Sequence, residues 1–182
     1  MGRPARGRRG IRRRRGGRSR RGTPAGGGGT VSITVRAFAL ADEDAVVQLW
    51  HEVGLTRPWN DPRADIRRKL TVQPELFLVA VDQPADGTAE AVVGSVMAGY
   101  DGHRGWLYYL ASAPSHRGLG IGRMLVTESE RLLEAMGCPK VQLMVRPENE
   151  TVGGFYDELG YEPFTVWSTG KRLVVDGPGG PA

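Results

Sequence analysis

Three glycines stand directly in front of a long amphipathic stretch of the sequence. The segment HRGLGIG occupies residues 116–122 and is followed at once by RMLVTESERLLEAMG. Each glycine weakens a helix by about 1 kcal/mol relative to alanine, so three of them at a helix start need a further reason. Backbone N–H groups at the positive end of a helix dipole bind anions, and glycines let a phosphate approach that backbone closely. The segment therefore predicts a phosphate-binding loop at the start of a helix.

Two common phosphate-binding loops fit this segment poorly. A Walker A loop needs Lys-Ser or Lys-Thr after its last glycine, whereas Arg123 and Met124 occupy that place. The dinucleotide fingerprint G-x-G-x-x-G would need a glycine at position 123, and it belongs near the first strand of a βαβ unit rather than late in a chain. Nucleoside triphosphates and dinucleotides are therefore disfavoured as ligands.

The arginines are concentrated at the start of the chain. Of the 25 basic residues, eleven are arginines within residues 1–29, which contain no acid, so the remainder carries a formal charge of −6. A segment so rich in charge and glycine cannot bury a core. We therefore predict a disordered Arg/Gly-rich tail over 1–30, one domain over 31–175, and a flexible Gly/Pro tail over 176–182. The first tail is either a nucleic-acid-binding arm or dispensable, and the lack of aromatic residues among its arginines favours the second interpretation.

Cysteine usage and hydropathy place the chain among cytoplasmic proteins without membrane contact. Cys138 stands alone, no apolar segment follows the arginines as in a secretion signal, and no run approaches the eighteen apolar residues of a membrane span. The three histidines lack metal-ligand spacing, and there is no Gly-x-Ser-x-Gly elbow. Neither a metal site nor a serine hydrolase is expected.

The hydrophobic pattern after residue 30 predicts an α/β (α+β) domain. Predicted strands cover 31–38, 76–81, 91–100, 106–113, 140–145 and 164–175, and predicted helices cover 42–53, 63–72, the stretch from the glycines to Met136, and 150–159. Consecutive strands flanked by helices indicate a mixed sheet with at least one parallel crossover. The apolar face of the first helix is expected to be Ala45, Val46, Leu49, Trp50 and Val53.

A second motif follows the predicted phosphate loop. The segment NETVGGFYDELGY (149–161) places Val152, Phe155, Tyr156 and Leu159 on one helix face. Together the two segments resemble Arg/Gln-x-x-Gly-x-Gly/Ala and Asn-x-x-Ala-x-x-Phe-Tyr-x-x-x-Gly-Phe, the motifs of the GNAT N-acetyltransferase family, over about residues 31–175. The segments LTRPWNDP, FLVAV, GYDGHRG, YYL, GCPK and GKRL also resemble the bacterial YpeA-type acetyltransferases.

The resemblance implies a GNAT fold, in which a mixed central sheet with bulged, splayed strands is flanked by helices. It also implies acetyl-CoA as co-substrate and no metal. The strand before the glycines would hold the pantetheine arm and polarise the thioester carbonyl, the glycine loop would bind the pyrophosphate, and Tyr156 would protonate the departing thiolate as general acid. The cofactor-binding residues expected on this basis are Leu110, Ala111, Ser112, Arg117, Gly118, Leu119, Gly120, Ile121, Gly122, Arg123, Asn149 and Tyr156.

The sequence does not identify the general base. Many relatives place a glutamate on the bulged strand or on the strand after the glycine helix, but WLYYLASA and KVQLMV contain no carboxylate. An ordered water relayed through Tyr109, Asp101, His103 or Glu148 could replace it, and an acceptor amine of low pKa would need little help.

The loop TRPWNDP, between the first two predicted helices, is the expected acceptor-binding region. A guanidinium can bind a carboxylate, an aromatic ring can form a wall, and a carboxylate can attract an ammonium group. Equally, Asn60 or Asp61 can cap the second helix, with Pro62 in its first turn. The candidate acceptor-binding residues are Arg57, Trp59, Asn60, Asp61 and Tyr109.

The expected function is an acetyl-CoA-dependent N-acetyltransferase that transfers the acetyl group directly to an amine of a small-molecule or peptide acceptor. A non-catalytic acyl-CoA-binding sensor is the alternative, since the carboxylate base of many relatives is missing. The sequence leaves open whether the protein forms a homodimer.

Overall fold

The computed structural model of the chain describes residues 32–85, 87–146, 149, 152–174 and 176. The predicted N-terminal tail, Glu148 and residues 177–182 lie outside these ranges. No helix of the described residues is long and apolar enough to cross a membrane.

The described residues form one mixed sheet with helices on both of its faces. The strands are β1 (Ile33–Ala37), β2 (Phe77–Asp82), β3 (Ala91–Tyr100), β4 (Gly105–Ser112) and β5 (Val141–Gln142). The helices are α1 (Glu43–Glu52), α2 (Pro62–Leu70), α3 (Ile121–Ala135) and α4 (Gly153–Asp157). The strands lie in chain order, β1 to β4 antiparallel and β5 parallel to β4. The α3 crossover between β4 and β5 confirms the predicted mixed sheet.

Two neighbouring residues of β3 show that α1 and α3 pack on opposite faces of the sheet. Trp50 of α1 donates its indole N–H to Ser95 Oγ at 2.8 Å, whereas a Cβ placed on Gly94 would meet Ile121 and Leu125 of α3. Successive side chains of a strand point to opposite faces. Trp50, Ile121 and Leu125 are all essentially inaccessible to solvent, so each helix closes one half of the core.

The predicted face of α1 needs one correction. Val46, Leu49 and Trp50 are buried as expected, but Ala45 is exposed and Val47 is buried in its place. The buried stripe is therefore rotated toward Val47, because α1 packs against both β3 and β4 rather than along one strand.

The predicted final strand over 164–175 is wrong for the residues that the structure describes. Residues 161–174 form neither helix nor strand. β-branched and aromatic residues favour a strand only where another strand can pair with it, and β5 has two residues instead of the predicted six. The apolar side chains of this segment therefore stay exposed, Trp167 most of all at 93%.

Candidate active site

The glycine segment forms the turn into α3. Gly118 and Gly120 have φ values of +79° and +75°, and a Cβ on either would meet nothing within 4 Å. These two glycines are therefore needed for a left-handed backbone rather than for space. Gly122 differs, because a Cβ there would lie 3.1 Å from the ring of Phe155. Its role is the close packing of α4 against α3.

The start of α3 has the properties of an anion-binding site. Met124 N–H donates to Gly120 O at 3.0 Å and is the first N–H of the helix to find an intrahelical acceptor. The preceding N–H groups, of Ile121, Gly122 and Arg123, lie at the positive end of the helix dipole, where such groups have no intrahelical partner. The exposed side chain of Arg117 lies just before this turn.

β4 carries a bulge opposite Val96 of β3. Ser95 pairs with Ala111 and Met97 pairs with Tyr108, so the single residue Val96 faces two residues of β4, Tyr109 and Leu110. Tyr109 has a φ of +52°, which is rare for a residue other than glycine. Bulges bend a strand and change the direction of its side chains. The bulge on the strand before the glycines was predicted and is confirmed.

β4 and β5 separate after their first two residues. They pair at Gly105–Val141 and Trp106–Gln142, and a cleft of about 1200 Å³ opens past that point. β4 and the glycine turn form one wall, and Leu143–Arg146 with α4 form the other. All predicted cofactor-binding residues line the cleft except Leu119, whose side chain is about half exposed and lies outside it.

The backbone of β4 presents polar groups to this cleft. Ala113 N–H donates to Val93 O of β3 at 2.8 Å. Because successive residues of an antiparallel pair direct their N–H and C=O groups alternately toward and away from the partner, Ser112 points away from β3 and Ala111 toward it. Leu110, two residues before Ser112, also points away. The backbone groups of Leu110 and Ser112 therefore face the open side of the strand.

Tyr156 lies on the opposite wall, on α4. Its half-buried ring makes edge contacts with Phe155 and Tyr161 at centroid distances of 5.0 and 5.7 Å. Burial raises the pKa of the Tyr156 hydroxyl, so the phenol stays protonated at neutral pH. No described residue forms a hydrogen bond with this hydroxyl. The protonated hydroxyl is therefore available to donate its proton to a ligand in the cleft.

A hydrogen-bonded cluster of Asn60, Asp65 and Tyr109 also lines the cleft. Tyr109 donates its hydroxyl proton to Asp65 Oδ2 at 2.6 Å and accepts a hydrogen bond from Asn60 Nδ2 at 2.9 Å. Asn60 also donates to Asp65. Burial and the bond to Asp65 raise the pKa of Tyr109 well above its ordinary range. Asp65 is not among the residues predicted for the site. The signal that could have found it is its place one helical turn after Asp61, in the first turn of α2.

The predicted acceptor-binding residues divide into two groups. Arg57, Trp59, Asn60 and Tyr109 line the cleft, but Asp61 does not. Asp61 instead caps α2, where its carboxylate accepts a hydrogen bond from Arg63 N–H at 2.9 Å. The capping interpretation of Asp61 is therefore correct.

The other candidates for a base relay lie elsewhere or outside the described residues. Asp101 accepts hydrogen bonds from the backbone N–H groups of His103 and Arg104 and from the indole of Trp106, which holds the turn between β3 and β4 together. Neither Asp101 nor His103 lines the cleft. Within the described ranges, no three His, Cys, Asp or Glu side chains are grouped as a metal site would require.

Comparison with known proteins agrees with this geometry. Residues 44–161 match the family described as Acetyltransferase (GNAT) family. Acetyltransferase YE1169 of Yersinia enterocolitica is 49% identical over 142 residues, which cover 78% of this chain and 96% of that protein.

Two solved structures share the fold. Ard1 from Thermoplasma volcanium superimposes with a TM-score of 0.62 at 24% identity, over 73% of this chain and 84% of that one. AAC(6')-Iy gives a TM-score of 0.61 at 20% identity, over 78% and 99% of the two chains. The family match, the bacterial relative and the bulged, splayed sheet lead to one conclusion. This chain belongs to the GNAT acetyltransferase family and is an acyltransferase.

Proposed function

We propose that the protein transfers an acetyl group from acetyl-CoA directly to the amine of a small-molecule or peptide acceptor. The observation that carries the proposal is a single cleft with three suitable surfaces. These are a helix N-terminus behind a glycine turn, the outward-facing backbone of a bulged strand, and a protonated tyrosine on the opposite wall.

The cleft suits the successive parts of acetyl-CoA. The N–H groups at the start of α3 would bind the pyrophosphate, with Arg117 adding positive charge. The backbone of Leu110 and Ser112 would bind the pantetheine amides as an added strand does, and Asn149 lies on the same cleft. The structure of AAC(6')-Iy was solved in complex with a bisubstrate analogue, CoA-S-monomethyl-acetylneamine, which supports CoA as the carrier in a related fold.

The bulge of β4 and Tyr156, which both line the cleft, suit acetyl transfer to nitrogen. An N–H group on the outward edge of the bulge would stabilise the oxyanion that forms when the amine attacks the thioester carbonyl. Tyr156, held neutral by burial, would protonate the sulfur as the carbon–sulfur bond breaks. Holding both reactants in one cleft supplies the proximity that the reaction needs.

The proposed catalytic domain spans residues 31–175, between the Arg/Gly-rich residues 1–30 and the Gly/Pro-rich residues 176–182. The formal charge of −6 outside the first 29 residues favours a cationic acceptor through steering. The lone cysteine, Cys138, supports a cytoplasmic setting.

The first experiment is calorimetric titration of the full-length protein with acetyl-CoA and with CoA. We expect micromolar binding for the wild type and at least about tenfold weaker binding for Arg117→Glu, since one charge reversal beside a bound phosphate is worth more than about 1.4 kcal/mol. Arg104→Glu is the matched control, because it makes the same charge change at the β3–β4 turn, outside the cleft.

Transfer is then measured as release of the CoA thiol with a panel of amines. The panel contains n-butylamine, spermidine, an aminoglycoside, amino acid amides and peptides with a free amino terminus. A folded protein that binds neither acetyl-CoA nor CoA contradicts the proposal, as does equal weakening by the two arginine variants. Binding without thiol release across the panel would favour the sensor alternative.

A further inference from the structure

We propose that Tyr109 removes the proton that the acceptor amine loses during attack, and that Asp65 receives the displaced hydroxyl proton of Tyr109. The pair would supply the base that the sequence does not show. The inference rests on the proposed acetyl transfer and names the groups that carry the proton at the same site.

The bulge of β4 and the packing around it fix the position of Tyr109. Its ring stacks on Trp50 at a centroid distance of 4.0 Å, and Trp50 donates its indole N–H to Ser95 Oγ. Ser95 in turn donates its hydroxyl to Tyr109 O at 3.1 Å. Ring and backbone of Tyr109 are thus both held, which sustains its strained φ of +52°. Strain of this kind persists where the surroundings determine one conformation, often at functional sites.

The hydrogen bonds around the Tyr109 hydroxyl leave room for an amine. The hydroxyl donates its proton to Asp65 and accepts one hydrogen bond from Asn60. A phenolic oxygen has two lone pairs, so one lone pair is left to accept an N–H bond from an amine in the cleft. Tyr109 adjoins Leu110, whose backbone faces the cleft, so the amine and the thioester would meet beside this hydroxyl.

Arg68 fixes the orientation of Asp65. Its guanidinium donates to Asp65 Oδ1 at 2.6 Å, so Asp65 Oδ2 remains directed at Tyr109 and Asn60. The carboxylate side chain is only 21% exposed, which limits exchange of its hydrogen-bond partners with water. Asp65 Oδ1 is therefore held by the ion pair with Arg68, and Asp65 Oδ2 accepts hydrogen bonds from Tyr109 and Asn60.

Each proton that leaves one group in this reaction arrives at another. The neutral amine forms a bond to the carbonyl carbon, and one of its N–H protons passes to Tyr109 Oη. The original hydroxyl proton of Tyr109 passes to Asp65 Oδ2, so the tyrosine ends as it began. The carbon–sulfur bond breaks, and the sulfur takes the Tyr156 proton. Solvent then carries a proton from Asp65 to Tyr156, and the net reaction moves one proton from the amine to CoA.

The test compares Tyr109→Phe, Asp65→Asn and the double variant in the full-length protein, with the amine on which the wild type is most active in the panel. Phenylalanine keeps the stacking on Trp50. Asparagine can still accept from Arg68 through its amide oxygen, but its NH2 group would donate to the Tyr109 oxygen and cannot receive the Tyr109 proton. We expect each single change to lower kcat by about 100-fold, a typical contribution of proton transfer by a positioned group. The calorimetric Kd for acetyl-CoA should stay within about twofold of wild type, because neither side chain touches the glycine turn or the outward backbone of β4.

The double variant separates a shared proton path from two structural roles. If both residues carry one proton, the double variant should be no more than about threefold slower than the slower single variant, whereas independent effects multiply to about 10⁴-fold. Two control variants should keep wild-type kcat. Asp44→Asn changes an exposed carboxylate of α1 that is paired with Arg63, and Tyr100→Phe removes a hydroxyl from β3 outside the cleft.

Single variants that keep half or more of the wild-type kcat would overturn the inference while leaving the proposed transfer intact. Losses of kcat that multiply in the double variant would also overturn the inference. Loss of acetyl-CoA binding in both single variants would do the same. A wild type that acetylates no amine overturns the proposed function itself.

Discussion

Gly94→Ala tests how tightly the sheet holds the start of α3. The added Cβ would lie 2.6 Å from Ile121 Cγ2, 3.0 Å from Leu125 Cδ1 and 3.1 Å from Ala111 O. Carbon atoms in contact prefer about 3.5–4.0 Å, so Ile121 must move by roughly 1 Å. Ile121 and Leu125 are 1% and 0% exposed, so a shift of either side chain disturbs the packing of the core. We expect a loss of about 1–3 kcal/mol, the usual effect of overpacking a buried site.

Ile121 is the first residue of α3, so its displacement also moves the N–H groups of the glycine turn. We therefore expect weaker acetyl-CoA binding together with a lower urea midpoint at an unchanged m-value. Gly99→Ala is the matched control on the same strand, because its Cβ would meet only Gln73 Oε1, at an ordinary 3.7 Å. Equal urea midpoints for the wild type and Gly94→Ala, or equal losses for the two alanine variants, would refute this reasoning.

Three further tests concern the turn, the proton donor and a half-buried lysine. Gly120→Asn should be tolerated better than Gly120→Val by about 1 kcal/mol in urea unfolding, since asparagine enters the left-handed region and valine does not; equal losses would contradict the role given to this φ. Tyr156→Phe should lower kcat by about 100-fold with unchanged acetyl-CoA affinity, and unchanged turnover would remove Tyr156 as the acid. Burial lowers the pKa of Lys69 to about 8, so from that pH upward the unfolded chain retains a proton that the folded chain has lost. Stability should therefore rise between about pH 8 and the ordinary lysine pKa of 10.5. A urea midpoint that rises equally in Lys69→Met would contradict this assignment.

The sequence allowed prediction of the parts of the site that depend on local backbone chemistry. Glycines directly before a helix favour a left-handed turn, as Gly118 and Gly120 do here. The apolar stripe of the helix after them needs a sheet to pack against. Pro62 after Asp61 marks a helix start in the same way. Such signals depend only on neighbouring residues, so the predicted turn and helix starts match those in the structure.

The rest depended on contacts between distant segments. Gly122 looks like part of the phosphate loop, but its lack of a side chain accommodates Phe155, 33 residues later. Asp65 is an ordinary helix residue until β4 brings Tyr109 to it, 44 residues on. The stretch 164–175 has the composition of a strand, yet its described residues, 164–174, form no strand beside the two-residue β5. Sequence composition indicates only local conformational preference. The role of Gly122, the role of Asp65 and the lack of a final strand all depend on contacts with residues far away in the sequence.

The two-residue pairing of β5 has a consequence for amide hydrogen exchange. Four strands are joined by long antiparallel ladders, whereas β5 and α4 are attached to them through the pairs at Gly105 and Trp106 and through packing on α3. Segments with few backbone bonds open as separate units at lower free energy than the whole domain. Amides of residues 141–146 and 152–160 should therefore exchange well before those of β2 and β3. A cofactor that contacts both walls would slow exchange mainly in this C-terminal unit, so exchange there would report occupancy of the cleft.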